Sequence, residues 1–383
     1  MRPASSTRGG VVILALGVAL AACGAPAPEM PEPEADAQPA PSRPSDGTFH
    51  IDPYWPQDLP GDWLLGNVVG VAVDSSDNVW IIHRPNSQRG GEDTPPVIAF
   101  DQAGAVAHSW GDPGGDCDWG TQTHGIYVDH EDNVWVGFGG GLPYDLSSRA
   151  TTDNALVVKL TPAGDCLLDI GDFGMGTDGS NSTMYLGQPT DIWVDAEANE
   201  VYISDGYTNR RVIVFDAASG EYRRHWGAYG NMPDDTPALP YNRGDEMPQQ
   251  FNTPHCVAGA NDGMVYVCDR GNQRIQVFEK DGTFVKEALV DAPLGNGDVG
   301  GNPWDIGFST DAEQSLLVVA DGRTHRVHTL NRDTLEAVTS FGRRGRWAGN
   351  FESPHSLAVD SQGNLYVGDT LDGRRVQKFV HAR

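Results

Sequence analysis

The chain has 383 residues, with 26 Lys and Arg against 53 Asp and Glu, and a formal net charge of −27 at pH 7. Such a charge disfavours nucleic acid and anionic lipid surfaces as partners, because phosphate groups need cationic neutralisation. We therefore expect no nucleic-acid-binding function.

The N-terminal residues predict an export signal. Arg2 and Arg8 precede the apolar run 11–22, which is too short to span a bilayer and is typical of a signal peptide. The run ends in LAACG (20–24), which resembles the lipobox of bacterial lipoproteins. That resemblance implies that Cys23 is lipidated, and the glycine after it favours the outer membrane, at its periplasmic face or the cell surface. Cleavage at a plain Ala-x-Ala site is the alternative.

The chain is thus divided into three regions. Residues 1–22 are a signal peptide, 23–46 are the lipidated cysteine with a Pro- and Ala-rich tether, and 47–383 are the folded domain. A tether of this composition is extended and has no core. We expect the protein to contact the membrane through its lipid anchor only, and to be a monomer.

Six copies of one pattern fill the folded region. Each copy has a strand, a polar turn rich in Asp, Asn or Gly, and a second strand. The copies begin at residues 70, 125, 191, 256, 305 and 356. Most copies add a third and a fourth strand, as in 210–227 and 273–287. Repeated four-stranded units predict an all-β, six-bladed β-propeller; a β-sandwich would not require six copies.

The last copy is short of strands, because the chain ends soon after RRVQKFV. An unpaired strand edge is a liability in a β-protein. We expect the segment 47–55 (GTFHIDPYW), which precedes the first copy, to supply the missing strand and close the ring.

Three histidines occupy the same repeat position in alternate copies, at the start of the first strand. They are His124, His255 and His355, and the other copies carry Val69, Thr190 and Trp304 there. Alternate members of a ring of six stand a third of a turn apart, so three imidazoles would converge on the axis. Three neutral imidazoles with an open position are typical of a catalytic zinc site. A single histidine is more often a core or surface residue without a metal, but that alternative does not explain three histidines at one repeat position.

Other polar residues are expected at the same rim of the channel, because the start of strand one and the end of strand two meet there. The strand-two ends read His83-Arg84, Asp205-Gly206-Tyr207, Asp269-Arg270, Asp321-Gly322 and Asp369-Thr370. Rim loops on a rigid scaffold commonly carry function. We therefore expect two arginines, a tyrosine and several carboxylates around the histidines.

Four cysteines remain after Cys23, in a compartment that permits disulfides. A turn at 261–263 places Cys256 opposite Cys268 on neighbouring strands, which predicts a bridge. Cys117 and Cys166 would then be the second pair. Buried free thiols are the alternative, and the lack of a CxxC spacing argues against metal ligation.

The strings GQPTDIWVDAEANEVYISDGYTNRRVIVFD (187–216), TPHCVAG and CDRGNQRIQVF resemble peptidyl-α-hydroxyglycine α-amidating lyases, over about residues 66–380. That family is a six-bladed propeller of NHL-type repeats with a zinc bound by three histidines. The resemblance implies cleavage of the N–Cα bond of a C-terminal α-hydroxyglycine, giving a peptide amide and glyoxylate. The substrate would be a small peptide or α-hydroxy amide with a carboxylate.

The resemblance also implies a role for individual residues. His124, His255 and His355 match the zinc ligands, and Val71 and Ile126 match positions whose backbone carbonyls bind a structural calcium in the channel. The expected cofactors are therefore Zn²⁺ and, at the second place, Ca²⁺.

The remaining matches are catalytic. Tyr207 matches the tyrosine proposed as the base toward the substrate hydroxyl, and Arg84 and Arg270 match active-site arginines. Zinc polarises a bound hydroxyl, a phenol beside zinc and guanidinium groups gains basicity, and arginine binds a carboxylate through its planar fork. Two structural alternatives stay open: Tyr207 bonded to a backbone carbonyl, and the arginines paired with Asp205 or Asp269.

Three residues depart from the family pattern. Ser356 stands where the family usually has an aspartate that helps to bind the calcium, Ser353 replaces a methionine, and Thr208 replaces a disulfide cysteine. These changes put the calcium site in doubt and leave the zinc site intact.

Two other functions remain possible on this fold, because propellers serve many. One is a lactonase-type metal hydrolase, whose site centres on calcium with Glu, Asn and Asp ligands, so that three histidines argue against it. The other is a propeller without chemistry that binds a peptide or an envelope partner.

Overall fold

The structure, a computed structural model, describes residues 49–85, 87, 94–114, 117–120, 122–139, 155–171, 178–236, 241–290 and 300–382. The predicted signal peptide, Cys23 and the tether lie outside these residues and stay predictions. Within the described part of the chain, no helix is long and apolar enough to cross a membrane.

The described residues form six antiparallel sheets of four strands each. The first strand, β1 (Phe49–Asp52), belongs to the last sheet. Each sheet is one blade, and blade 1 consists of β2 (Asn67–Val73), β3 (Val79–Arg84), β4 (Val97–Phe100) and β5 (Val106–Trp110). Blade 2 consists of β6 (Thr123–Val128), β7 (Val134–Phe138), β8 (Leu156–Leu160) and β9 (Cys166–Gly171). Blade 3 consists of β10 (Pro189–Asp195), β11 (Glu200–Asp205), β12 (Arg211–Asp216) and β13 (Tyr222–Trp226).

Blades 4 and 5 repeat the order, and blade 6 borrows β1. Blade 4 consists of β14 (Pro254–Gly259), β15 (Val265–Asp269), β16 (Arg274–Phe278) and β17 (Phe284–Leu289). Blade 5 consists of β18 (Pro303–Phe308), β19 (Leu316–Asp321), β20 (Arg326–Asn331) and β21 (Ala337–Phe341). Blade 6 consists of β22 (Pro354–Val359), β23 (Leu365–Asp369), β24 (Arg375–His381) and the borrowed β1. Among the described residues, short 3-10 helices span Ala228–Gly230 and Arg270–Asn272. The predicted six-bladed propeller is confirmed.

The ring closes as expected from the sequence. Strand β1 pairs antiparallel with β24, with Phe49 opposite His381 and Asp52 opposite Lys378. The sixth blade therefore combines the first strand of the domain with its last three. This pairing covers the strand edge that β24 would otherwise expose.

The polar turn between the first two strands is fixed by an aspartate. The Asp129 carboxylate accepts backbone N–H bonds from Glu131 at 3.0 Å and from Asn133 at 2.9 Å. Asp74 and Asp360 do the same in blades 1 and 6. Side chains that bond the backbone two to four residues onward favour turns over strands, which explains the Asp-rich turns of the repeat.

The core lies between neighbouring blades. One cluster joins Tyr202 and Val214 of blade 3 to Val257, Val267 and Phe278 of blade 4. Equivalent clusters join the other neighbours, including blade 6 to blade 1. Burial of this apolar surface holds the blades at fixed angles around the channel.

The structure contains both predicted disulfides, Cys256–Cys268 and Cys117–Cys166. Cys256 lies directly opposite Cys268 in the β14–β15 ladder, as the turn position predicted. The alternative of buried free thiols is therefore not what the structure shows. The first bridge links the two innermost strands of blade 4, next to His255.

A buried aspartate anchors each of blades 3 to 6. The second strand ends in an aspartate that pairs with a basic side chain on the third strand: Asp205 with Arg211, Asp269 with Arg274, Asp321 with His328, and Asp369 with Arg375. Each aspartate also accepts a backbone N–H from the loop that leads into the first strand. The carboxylate thus joins three parts of its blade.

Replacing Arg274 with methionine should destabilise the domain strongly. Arg274 Nε lies 2.8 Å from Asp269 and its Nη1 lies 3.0 Å from Glu287, and neither the Arg274 nor the Asp269 side chain is exposed. Removing one partner leaves a buried charge uncompensated, which costs about 3–5 kcal/mol. Denaturant unfolding measures this, with Arg323→Met, at an exposed arginine, as the control. A loss below about 1 kcal/mol would contradict the assignment.

Candidate metal centre

The repeat position that carries the histidines is a β-bulge in every blade. The ladder between the first two strands shifts register at this position in all six blades. A bulge leaves one residue unpaired and redirects its side chain. The chain therefore turns one side chain per blade out of the alternating pattern, and these six residues surround the channel.

The structure brings the three histidines together. The ring centroids of His124, His255 and His355 lie 5.0, 4.9 and 4.9 Å apart, which is nearly an equilateral triangle. One nitrogen of each ring lies within 4.8 Å of the other two, and all three side chains are buried. Alternate blades thus supply the threefold arrangement that the repeat register predicted.

The intervening blades orient two of these imidazoles. His124 Nδ1 lies 2.6 Å from the Thr190 carbonyl, and His255 Nδ1 lies 2.7 Å from the Trp304 carbonyl. Because a carbonyl can only accept, each Nδ1 carries the proton and each Nε2 keeps its lone pair toward the axis. His355 Nδ1 has no hydrogen bond of ordinary geometry in the described structure, although the Val69 backbone interacts with it.

All three imidazoles are held neutral. Burial is the largest cause: it lowers the pKa of His124 and His255 well below the usual value, and that of His355 to about 3. The positive charge of Arg270 lowers the pKa of all three histidines further, and that of Arg84 lowers the pKa of His124 and His355. A neutral imidazole is the form that binds a metal, so no proton has to be displaced.

This donor set fits a zinc ion. Three uncharged nitrogen donors meet at one point, and hydrogen bonds from Nδ1 to carbonyls are the usual support of metal-binding histidines. With three protein ligands, a tetrahedral ion keeps one position for water or substrate. The geometry shows a group that could hold a metal, and the identity of that metal stays a prediction.

Tyr207 lies directly against the histidine group. Its hydroxyl is 2.9 Å from His124 Nε2 and 3.3 Å from His255 Nε2. The alternative in which this hydroxyl bonds a backbone carbonyl is not what the structure shows. The loop that carries Tyr207 is held by its own backbone N–H, which donates to the Gln188 carbonyl at 3.3 Å.

Arg270 lies between two aromatic rings at the rim. Its guanidinium carbon is 5.4 Å from the Tyr207 ring centroid and 5.0 Å from the Trp304 ring centroid. Both distances are within the range of cation–π attraction. Among the described residues Arg270 forms no ion pair, so its position is set by the two rings and its charge faces the histidine group.

Arg84 is positioned by the neighbouring blade. Its Nε donates to the Thr123 carbonyl at 2.8 Å and its Nη2 donates to the Gly139 carbonyl at 3.0 Å. Arg84 ends β3 of blade 1 and Arg270 follows β15 of blade 4, and these two blades stand opposite each other in a ring of six. The two cations therefore flank the imidazoles.

The expectation of several carboxylates at this rim is wrong for the strand-two aspartates. Asp205, Asp269, Asp321 and Asp369 are fully buried inside their blades. The basic residue of the third strand and the loop N–H draw each carboxylate away from the channel. For the same reason Asp205 and Asp269 pair with Arg211 and Arg274 and are not the partners proposed for Arg84 and Arg270.

The calcium position implied by the resemblance lies further along the channel. Val71 and Ile126 line its wall beside the histidines. Ser356 also lines this wall, and its hydroxyl has no hydrogen-bond partner among the described residues. Blade 6 thus offers no carboxylate there, so the implied calcium site does not fit in its usual form.

Two sets of residues escaped sequence reasoning. Trp304 was noted only as a non-histidine at the repeat position, yet it contacts His255, His355 and Arg270. Asp191 and Asp305 follow that position in blades 3 and 5 and line the channel. An alignment of the six repeats could have revealed these two aspartates, since both stand where the other copies have glycine, cysteine or serine.

Comparison with known proteins places the repeat within a family. Residues 251–278 match the NHL repeat. This segment covers His255, both strands of the Cys256–Cys268 bridge and Arg270. The match lies in blade 4 and agrees with the repeats read from the sequence.

Related proteins cover most of the chain. It is 28% identical over 367 residues to peptidylglycine alpha-amidating monooxygenase of Rattus norvegicus, covering 87% of this chain and 32% of the relative. It is 27% identical over 355 residues to peptidyl-alpha-hydroxyglycine alpha-amidating lyase 1 of Drosophila melanogaster, covering 83% and 57%. The chain thus spans about a third of the first relative's length. The resemblance stated from the motifs is confirmed, and a related function is supported.

A third relative has a different kind of name. The chain is 27% identical over 361 residues to NHL repeat-containing protein 3 of Mus musculus, covering 89% of this chain and 87% of the relative. Among solved structures, a protein of unknown function from Bacteroides thetaiotaomicron has a TM-score of 0.55 at 14% identity, covering 88% of this chain and 74% of that one. The structural likeness supports the fold alone.

Proposed function

We propose that this protein is a zinc-dependent carbon–nitrogen lyase that cleaves the N–Cα bond of a peptidyl-α-hydroxyglycine, or of a similar α-hydroxy amide, to an amide and glyoxylate. The observation that carries the proposal is the position of the Tyr207 hydroxyl, within 2.9 Å of His124 Nε2, beside the Arg270 guanidinium. The similarity to α-amidating enzymes supports the same reaction.

The reaction is a proton transfer coupled to one bond cleavage. The substrate hydroxyl loses its proton, its oxygen becomes the aldehyde oxygen of glyoxylate, and the N–Cα electron pair leaves with nitrogen, which is protonated to the amide. The Tyr207 oxygen is the group placed to receive the hydroxyl proton. No water and no redox partner enters the balance.

His124, His255 and His355 would hold the zinc. The ion would supply electrostatic stabilisation to the substrate hydroxyl oxygen as negative charge develops there. The protein supplies the rest: buried neutral nitrogens, a rigid bulge in each blade, and two cations for an anionic substrate. An acidic protein of net charge −27 needs such local cations to bind an anion.

Arg270→Gln should weaken substrate binding. Glutamine keeps polarity at the rim but removes the charge and the planar fork that bind a carboxylate. A hydrogen bond to a charged group is worth about 1.5–3 kcal/mol, so KM should rise by about 10- to 150-fold. Steady-state kinetics measure this. Arg223→Gln, at an exposed arginine on the outer strand β13, is the control, and an unchanged KM in Arg270→Gln would contradict the carboxylate role.

The central test supplies the purified protein with an N-acyl-α-hydroxyglycine and measures glyoxylate, with bound metal determined in parallel. We expect release well above the uncatalysed rate from zinc-loaded protein. Release at the uncatalysed rate from protein that carries a full complement of zinc would refute the lyase proposal.

The second candidate is a binding propeller without turnover. The full-length similarity to NHL repeat-containing protein 3, whose name states no reaction, favours it. Zinc retained at the histidines, with saturable binding of an α-hydroxyglycine peptide and no cleavage, would select this function.

We further propose that the protein is exported and anchored through a lipid on Cys23. The LAACG string after a short apolar run supports this. Metabolic labelling with a radioactive fatty acid should mark the wild-type chain and leave Cys23→Ser unlabelled. Equal labelling of both would refute it.

A further inference from the structure

The histidine side of blades 5 and 6 carries a cluster of arginines. Three segments meet there, because Pro303 lies opposite Asp321 and Pro354 lies opposite Asp369 at that end of the blades. We call these segments, residues 322–326, 342–353 and 370–375, the basic rim. They contain seven arginines and two acidic residues, which are Arg323, Arg326, Arg343, Arg344, Arg346, Arg374, Arg375, Glu352 and Asp372. The whole chain has 26 basic against 53 acidic residues, so the basic rim opposes the charge of the protein that carries it.

The basic rim is one connected surface of fixed shape. His325, in the first segment, has its Nδ1 2.6 Å from the Glu352 carbonyl of the second segment. Arg375, in the third segment, donates from Nη2 to the Asn350 carbonyl at 2.7 Å. The Phe351 side chain is fully buried and holds the end of the long loop against blade 6. The three segments therefore present their exposed side chains together.

The tip of the long loop faces solvent. Trp347 is 83% exposed, and the side chains of Arg344 and Arg346 are 75% and 66% exposed. Arginine and tryptophan are among the residue types that contribute most to binding where proteins meet their partners. This tip thus offers both charge and apolar surface to a ligand from solvent.

The acidic residues of the basic rim do not neutralise it. Glu352 lies 3.5 Å from Arg344 and 4.0 Å from Arg346, and Asp372 lies 3.7 Å from Arg346. Such long contacts between exposed side chains contribute little. Arg343 is exposed and forms no ion pair among the described residues. A net positive charge therefore remains on this surface.

The place of the basic rim indicates which anion it meets. The long loop ends at Ser353, directly before Pro354 and His355. A peptide whose C-terminus lies at the histidine centre has to leave the channel across the rim. The loop 227–253, between blades 3 and 4, carries four acidic residues and one arginine, which are Asp234, Asp235, Asp245, Glu246 and Arg243. An acidic peptide is therefore attracted over blades 5 and 6 and repelled at the junction of blades 3 and 4.

We propose that the basic rim binds acidic residues of a peptide whose C-terminus occupies the histidine centre, so that the protein takes acidic peptides in preference to neutral or basic ones. A short acidic segment contacts the basic rim alone, whereas an extended anionic surface such as a bilayer also meets the acidic remainder of the protein. Exposed charges of this kind act mainly on the rate of association and depend on salt. The substrate preference rests on the proposed lyase function, while binding of the peptide does not require turnover.

The kinetic test compares three peptidyl-α-hydroxyglycines of equal length, which carry two glutamates, two glutamines or two lysines before the C-terminal residue. We expect KM to be about three- to tenfold lower for the glutamate peptide than for the glutamine peptide, because each exposed charge pair contributes modestly. The difference should shrink at about 0.3 M salt, where charges are screened over a shorter distance. Equal KM values for the three peptides would overturn the proposal.

Two charge reversals locate the site. Arg346→Glu and Arg223→Glu each reverse one exposed arginine that lies near a carboxylate, so they change the net charge equally. Arg346→Glu should remove the preference for the glutamate peptide, whereas Arg223→Glu, on the outer strand β13, should keep it. The ratio of the two KM values is measured on one sample, so a fraction of unfolded protein does not alter it. Equal loss of the preference in both variants would show an effect of net charge and overturn the site.

A binding measurement separates this inference from the lyase proposal. A fluorescent glutamate peptide that ends in glycine lacks the hydroxyl group and is not cleaved, so its anisotropy gives a Kd without turnover. Should no peptide release glyoxylate, a Kd that Arg346→Glu raises at least about threefold and Arg223→Glu leaves constant would still support the basic rim. Absence of saturable peptide binding would overturn it. Binding to phosphatidylglycerol vesicles that Arg346→Glu abolishes, with an unchanged Kd for the peptide, would also overturn it in favour of a membrane surface.

Discussion

We expect the substitution His255→Ala to abolish zinc binding at the histidine centre, and with it the glyoxylate release of the proposed lyase reaction. The three rings lie 4.9 to 5.0 Å apart, so two of them cannot replace the third. His255 also bonds Tyr207, whose hydroxyl lies 3.3 Å away, so the variant loses a ligand and a contact of the proposed base. Loss of a supporting partner alone costs 10- to 100-fold in affinity or activity, and loss of a ligand should exceed about 100-fold.

Metal content and activity are measured on the same sample. His108→Ala is the matched control, because His108 is an exposed histidine on β5 that stacks on Trp80 far from the channel. The control should keep about one zinc per chain and full activity. Full zinc in His255→Ala would contradict the ligand assignment, whatever its activity.

The register of the repeat made the histidine group predictable. His124, His255 and His355 occupy one repeat position in alternate blades, so a ring of six predicts that their side chains converge on its axis. The same logic predicted the Cys256–Cys268 bridge from a turn position and the role of 49–52 in ring closure. These features depend on periodicity, which a single sequence displays.

Contacts between blades could not be predicted in this way. The bulge that redirects each histidine is a property of the hydrogen-bonded ladder between two strands, and the residue types at that position do not predict it. The carbonyls that orient His124 and His255 come from residues 66 and 49 positions away, where any residue supplies the same group. The prediction for the rim aspartates was wrong because Asp205 and Asp269 pair with Arg211 and Arg274 on the third strand. Only the packed structure shows which basic side chain each aspartate contacts.

The orientation of the two aspartates that line the channel could not be predicted either. Asp191 and Asp305 stand at one repeat position in different blades, and sequence alone does not tell whether that position faces a neighbouring strand or the axis. In blade 4 this position holds Cys256 and faces Cys268 across the ladder. In blades 3 and 5 the aspartates instead accept an N–H of the next blade's first strand, which turns them toward the channel.

Tyr207→Phe should lower kcat by about 10²- to 10⁴-fold, the usual contribution of a general base, and leave zinc in place. Phenylalanine keeps the ring that Arg270 contacts at 5.4 Å, so KM should change little. It removes only the oxygen that lies between His124 and His255. Steady-state glyoxylate release and bound zinc, measured together, separate the two effects.

Tyr229→Phe is the matched control, because Arg274 lies over the Tyr229 ring at 4.9 Å in the same way, away from the channel. The control loses a hydrogen bond to Glu287 and should lose stability while kcat stays constant. Wild-type kcat in Tyr207→Phe would show that the phenol is not the base. A fall in kcat that follows a fall in zinc would show that Tyr207 acts by holding the histidines. Only lost turnover at full zinc occupancy assigns the proton transfer to the Tyr207 oxygen.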